Sequence, residues 1–153
     1  MLDNIINDCI FIPGNVPSSK NSKQMIFRNK KKPFLIHSES TKQYIDNTML
    51  IYKSYRSRFK AMIADKKKPY CIGLHFVRGT NHKWDFINAC QTVQDIMTSA
   101  NWIYDDNFDE IYPVPFKIGW KGNDNYYSID KISPGVYIKV FYEHLTCNSD
   151  RYL

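Results

Sequence analysis

The sequence predicts an α+β fold, a mixed β-sheet carrying two main helices, in a single domain spanning residues 1–153. Three observations point there. A chain of 153 residues has the length of one ordinary domain. Its apolar residues repeat with a period of two in some stretches and of three to four in others, the marks of strands and of amphipathic helices. Hydrophobic residues make up 43%, with 9 Phe, 3 Trp and 11 Tyr among them, enough to fill one core.

The elements follow in order. Cys9-Ile10-Phe11-Ile12 is a short apolar run stopped by Pro13-Gly14, a strand and its turn. The polar stretch from Pro13 to Lys23 reads as an ordered loop. Met25–Arg28 and Phe34–His37 suggest a hairpin around Asn29-Lys30-Lys31-Lys32-Pro33. From Ser40 the spacing turns helical: Ser40 and Gln43 suit a capping box, and Tyr44, Thr48, Ile51, Tyr55, Phe59 and Met62 form one apolar stripe. Lys66-Lys67-Lys68-Pro69 ends that helix, because proline forces the residue before it out of helical space. Tyr70–Arg78 alternates as a strand buried on both faces. A second helix is expected over Phe86–Ala100, with Ile87, Cys90, Val93, Ile96 and Met97 available for the core. Ile111–Gly119 and Gly135–Tyr142 are further strands, and residues 121–129 between them read as a polar loop.

Composition excludes several classes. A mean hydropathy of −0.47 and the lack of any long apolar run speak against a membrane span. The start Met1-Leu2-Asp3-Asn4 does not have the form of a signal peptide. Cysteines at 9, 71, 90 and 147 form neither a CxxC pair nor a zinc-ligand spacing with the histidines. A cytoplasmic protein with reduced thiols is expected. The net charge of +6 is unevenly spread. Residues 1–80 hold 15 Lys and Arg against 5 Asp and Glu, whereas residues 81–153 hold 6 against 10. The basic half suits a polyanion, whose bound counterions it releases; the acidic half suits a divalent cation.

The acidic residues of the second half are grouped. Asp85 precedes the second helix, and Asn88, Gln91 or Thr92, and Asp95 follow at helical steps on one face. Trp102-Ile103-Tyr104 then leads into Asp105-Asp106. Carboxylates gathered this way can hold Mg²⁺, which takes few carboxylates and fills its shell with water. The plainer alternative is a helix N-cap at Asp85 and an ordinary turn at Asp105-Asp106-Asn107.

Several separate segments together resemble the RusA-like Holliday junction resolvases of phages and prophages. Ile12-Pro13-Gly14-Asn15-Val16-Pro17-Ser18-Ser19-Lys20-Asn21-Ser22 is similar to that family's opening strand and Gly/Pro loop. Trp84-Asp85-Phe86-Ile87-Asn88 resembles its Asp-x-Asp-Asn motif, Asp95 its helical Asp, and Trp102-Ile103-Tyr104-Asp105-Asp106 its closing apolar-Asp-Asp motif. The resemblance implies a homodimeric, Mg²⁺-dependent endonuclease, with Mn²⁺ as a substitute ion, that resolves four-way DNA junctions in recombination and repair. It makes Asp85 and Asp106 metal ligands and Asp105 a neighbouring catalytic carboxylate; Asn88, Gln91 and Asp95 are supporting residues. Two positions depart from the motif: Ile87 stands where it has its second Asp, and Gln91 where it has a Lys. Asp95, Asp105 or Glu110 are candidates to complete the metal shell, and Lys83 or Lys20 to supply the charge.

Lys20, Lys23, Lys83, Lys30, Lys31 and Lys32 are the candidate DNA contacts, joined by Lys66, Lys67, Lys68, Arg56, Arg58 and Lys60 as wider electrostatic footing. Solvated faces are their alternative. Trp84 is a candidate for base stacking or for packing at the helix start, His82 for a base or a surface position, and Cys90 for a buried hydrophobe. The second functional reading is a junction-binding protein that no longer cuts. The third is a basic RNA- or protein-binding module.

Overall fold

In a computed structural model, residues 8–18, 23–26, 34–119 and 124–142 are described. In chain order they form β1 (Ile10–Pro13), β2 (Lys23–Ile26), β3 (Phe34–His37), α1 (Glu39–Ile63), β4 (Tyr70–Arg78), α2 (Phe86–Ser99), β5 (Ile111–Pro115), β6 (Tyr127–Ile129) and β7 (Gly135–Phe141). The fold is α+β. β2 and β3 pair as a separate antiparallel hairpin. The main sheet runs β1-β7-β4-β5, and β6 also pairs with β4.

β4 organises this sheet. Its first half takes β5 in parallel, Tyr70 opposite Ile111, and its last three residues take β6 in parallel, Phe76 opposite Tyr127. β7 pairs antiparallel along its other edge. Alternation along the strand separates the two faces. Ile72, Leu74 and Phe76 enter the main core with Ile10, Ile12, Val136, Ile138 and the buried sides of both helices. The opposite face carries a smaller cluster of Cys9, Phe116 and Ile118, with Tyr137 and Phe141 against it. Gly73 belongs there by necessity: a Cβ at that point would lie 2.4 Å from Phe141 Cε2 and 2.9 Å from Phe116 Cδ1.

The cap of α1 lies two residues before the expected Ser40. Ser38 is the N-cap, its hydroxyl accepting the Thr41 N–H at 3.3 Å. The buried stripe is Thr41, Tyr44, Thr48, Tyr52, Phe59 and Ile63. Tyr52 and Ile63 join the stripe, while the expected Ile51, Tyr55 and Met62 are half-buried and packed against the same core; the buried face is wider than the sequence predicts because the helix lies against both the sheet and Trp102. Trp102 is fully buried, stacks on Phe59 at 4.9 Å and donates its indole N–H to the Tyr52 carbonyl at 2.7 Å.

α2 spans nearly the expected residues and ends at a left-handed Asn101 (φ 59°). There the Trp102 N–H reaches the Met97 carbonyl at 2.9 Å and the Asn101 N–H the Thr98 carbonyl at 3.0 Å. This double bond pattern caps the last carbonyls of a helix and reverses the chain, which is what sends Trp102 back into the core. One strand, β6, falls inside the stretch read as a polar loop; three residues between Tyr126 and Asp130 carry too little periodicity to betray a strand. The strand expected to reach Gly119 stops at Pro115.

Candidate metal and nucleic-acid site

β4, α2 and β5 form a strand–helix–strand unit, and the acidic positions lie at its two ends. At one end, α2 starts where β4 finishes. Asp85 is the N-cap, its Oδ1 accepting the Asn88 N–H at 3.1 Å. The half-buried Asn88 side chain donates to the Ser18 carbonyl at 3.5 Å, and Thr92 Oγ1 contacts the Pro17 carbonyl at 3.3 Å. The loop Gly14–Ser18 is thereby drawn against the start of α2. Trp84 sits within the same corner, with Phe76, Phe86 and Tyr127 rings at 5.4, 6.2 and 5.3 Å and the Arg78 guanidinium 4.9 Å from its own ring. It packs the helix start.

Asp105 and Asp106 lie at the other end. Asp105 forms its own turn: Oδ1 accepts the Asp106 N–H at 2.8 Å and Oδ2 the Asn107 side-chain N–H at 3.0 Å. The Asp106 N–H, with Asn107 behind it, holds the Asp105 carboxyl below its usual range. Asp106 itself is exposed. Asn107 accepts from the N–H groups of Glu110 and Ile111, and Ile111 opens β5 opposite Tyr70, the first residue of β4.

The two acidic groups therefore flank opposite ends of β4. Across its nine residues the rise of about 3.3 Å per residue separates those ends by roughly 26 Å. Ligand oxygens sit about 2.1 Å from Mg²⁺, so two of them on one ion are no more than about 4.2 Å apart. Asp85 and Asp106 of one chain are not brought onto a common ion. Among the described residues no group of three or more His, Cys, Asp or Glu can hold a metal.

The other expected residues are distributed as follows. Ile87, expected in the core, is 67% exposed on the first turn of α2. It is a correction with a local cause: the sheet-facing side of the turn is filled by Ala89, Cys90 and Val93. Gln91 is exposed and Asp95 half-buried on the same outward stripe. Glu110 is engaged by Lys68 at 2.6 Å. Burial, above all, drives the Cys90 thiol up to about 12, so it packs as a hydrophobe. His82 and Lys83 are exposed in the approach to Trp84. Lys66 donates to the Met62 carbonyl at 2.5 Å and to Asp65 at 3.1 Å, and lies 4.0 Å from the Tyr142 ring. Arg58 donates to the Cys9 carbonyl at 2.9 Å. Lys66, Lys68 and Arg58 are thus held by the fold, while Arg56, Lys60 and Lys67 stay exposed. Lys20, Lys30, Lys31, Lys32 and the Lys23 side chain lie outside the described residues.

Two residues escaped the sequence reading. Arg78, taken only as the end of a strand, is 6% exposed and donates to the Val16 carbonyl at 2.6 Å and to Ser18 Oγ at 3.3 Å. His75 is fully buried, with Nδ1 2.8 Å from the Phe116 carbonyl and Nε2 2.5 Å from Ser128 Oγ. Their signal was the β4 alternation itself, which assigns any polar residue in that strand to one of two buried faces. No protein-family model matches this chain, and no curated protein is significantly similar to it. Among the described residues no helix is long and apolar enough to cross a membrane.

Proposed function

We propose that the chain is a Mg²⁺-dependent, structure-selective endodeoxyribonuclease of the RusA-like kind, cutting branched DNA as a homodimer. The observation that carries this reading is the disposition of the acidic motifs at the two ends of α2 and its flanking strands. The helix, 14 residues long, extends about 21 Å at 1.5 Å per residue. If two copies align their α2 helices antiparallel about a two-fold axis, each Asp85 approaches the partner's Asp106, and two equivalent sites result. The outward stripe of α2, with Ile87, Gln91 and Ser99 exposed at four-residue multiples, is the face left uncovered for such a pairing.

In this arrangement Asp85 and the partner's Asp106 would hold the ion. The bound ion supplies an activated water and neutralises charge on the phosphodiester. Asp85 offers Oδ2 while Oδ1 stays tied to the Asn88 N–H, which fixes the carboxylate's direction. Asp105 spends both oxygens on its turn and so orients Asp106. Lys83 and the unevenly basic first half attract the strand phosphates.

Mixing two inactive chains tests this. Asp85→Asn and Asp106→Asn homodimers are each expected not to cut a labelled four-way junction in Mg²⁺. A co-refolded mixture is expected to regain single-strand nicking, since one site in each heterodimer pairs a native Asp85 with the partner's native Asp106. A mixture as inactive as its components, beside an active native protein, overturns the shared site.

A second reading has its own observation. Ile87 and Gln91 present no charge from the solvent side of the α2 start, where the resembled motif has Asp and Lys. A protein that binds junctions without cutting them fits those two residues. Salt-sensitive junction binding by the native chain with no nicks in Mg²⁺ or Mn²⁺ decides for it.

A further inference from the structure

The helix-facing series of β4, Ile72, Leu74 and Phe76, ends in Arg78, a cation at the rim of the apolar core. Taking a charge out of water is expensive unless an opposite charge meets it. Among the described residues no carboxylate lies within ion-pairing distance of Arg78. Its guanidinium has five donors; among the described residues Val16 and Ser18 take two of them, and the Trp84 ring covers one face of the guanidinium plane.

Arg78 lines a groove of about 660 Å³ between the Pro13–Ser18 loop and the first turns of α1. Pro17, Tyr44 and Ile51 give it an apolar wall; Asn15, Ser18 and Gln43 are among the neutral hydrogen-bonding side chains that line the rest, and Arg78 is its one charged lining residue among those described. Ser40 belongs to the opening turn of α1, where helix N–H groups carry partial positive charge. The Asn15 side chain is held by accepting the Gly79 N–H at 2.9 Å. A planar cation that keeps spare donors among the described residues, with amides and hydroxyls around it and no carboxylate among the groove's described lining residues, is the chemistry that accepts a tetrahedral oxyanion.

We propose that this groove is a phosphate site, separate from the acidic positions, with Arg78 as its charged base. The phosphate comes from a DNA strand or from a free phosphate compound; the strand source rests on the nucleic-acid reading above, the site itself does not. Burial draws the Arg78 pKa down, and a bound anion offsets that cost.

The test uses exposed Gln43, so that Arg78 and its loop stay intact. Gln43→Glu adds a negative charge at the groove, Gln43→Lys a positive one, and Ser57→Glu, exposed on α1 outside the groove, controls for net charge. Melting temperature is followed in inorganic phosphate against chloride at matched ionic strength. Phosphate also stabilises proteins non-specifically, so the comparison between variants is what counts. Junction affinity is measured in EDTA. Loss of the phosphate-specific shift in Gln43→Glu only, with junction affinity about fivefold weaker in Gln43→Glu and stronger in Gln43→Lys, supports the site and its strand source. A selective phosphate shift with junction affinity equal in Gln43→Glu and Ser57→Glu supports the site and overturns the strand source. Equal behaviour of the two Glu variants in both assays overturns the site. Should the native chain bind no junction, the nucleic-acid reading fails by itself, and the phosphate arm still decides the groove.

Discussion

Asp85 caps α2 and, in the function proposed above, also holds an ion; replacing it with Asn or with Ala pulls the two roles apart. Its Oδ1 accepts the Asn88 N–H, and α2 has no other acidic residue in its first turn and no basic one in its last. Asn keeps a cap acceptor and loses only the charge at the positive helix end, a cost of about 0.3–1 kcal/mol. Ala loses the acceptor as well, for about 1–2 kcal/mol in all. In a domain of this size about 1 kcal/mol moves the melting temperature by about 2–4 °C. In EDTA, then, Asp85→Asn is expected to melt about 1–4 °C below the native chain and Asp85→Ala about 2–8 °C below it. Mg²⁺ at ten times its dissociation constant stabilises the native protein by about 1.4 kcal/mol, a rise of about 3–6 °C, and is expected to do nothing for either variant. Differential scanning fluorimetry in EDTA and in Mg²⁺, beside junction cleavage, reads both jobs. Cleavage and a full Mg²⁺ shift in Asp85→Asn would refute the ligand role. Equal melting of Asn and Ala variants in EDTA would refute the capping argument.

Four further outcomes are expected. Trp102→Phe removes the bond to the Tyr52 carbonyl and part of the stacking on Phe59, and should cost about 1–3 kcal/mol in urea unfolding. Asn101→Ala should lose about 1 kcal/mol while Asn101→Gly holds or gains stability, because the left-handed backbone penalises a Cβ; similar midpoints for the two would dispose of the idea. Burial, opposed only in part by the Phe116 carbonyl, lowers the His75 pKa below its ordinary 6.5. The unfolded chain then binds the extra proton first, so this part of the stability is complete above about pH 6.5 and drains away as pH falls toward the folded-state pKa. Urea midpoints from pH 7.5 to 5 should decline, with a shallower decline in His75→Gln. Ile87→Asp places a carboxylate on the first turn of α2; a gain in Mg²⁺-dependent nicking marks the native site as weakened, and no gain marks it as complete.

Periodicity made most of the fold legible. β4 was readable to the residue because an alternating apolar run between Pro69 and Gly79 has no competing interpretation. α2 was readable within one residue at its end. What escaped depended on long-range partners. The α1 stripe widened to take in Tyr52 because Trp102, fifty positions later, occupies the space beside it. β6 exists because the last three residues of β4 offer a free edge, which its own sequence does not announce. At the site, the grouping of acids along the chain was correct as a pattern, yet spacing in sequence cannot tell convergence from separation. A helix with carboxylates at both ends looks the same in one dimension whether they meet or face away.

That separation bears on the departures at Ile87 and Gln91. Were all the ligands on one chain, the lost carboxylate would leave a hole that Asp95 or Glu110 had to fill. Glu110 is drawn to Lys68 at the far end of β4, and Asp95 lies midway along α2. Neither reaches the Asp85 corner. In the proposed pair of antiparallel helices the demand changes, because the partner brings its whole Asp105–Asp106 turn to Asp85, and the exposed Ile87 falls where the first turn of α2 meets the partner's last turn. In the proposed dimer an apolar residue there would strengthen the contact that assembles the site, at the expense of a ligand. Dimer affinity and metal affinity are then linked through one position, and Ile87→Asp should weaken the metal-free dimer in sedimentation even as it adds a ligand. A metal-free dimer unchanged by that substitution would place Ile87 outside the interface and leave the missing carboxylate as a plain loss.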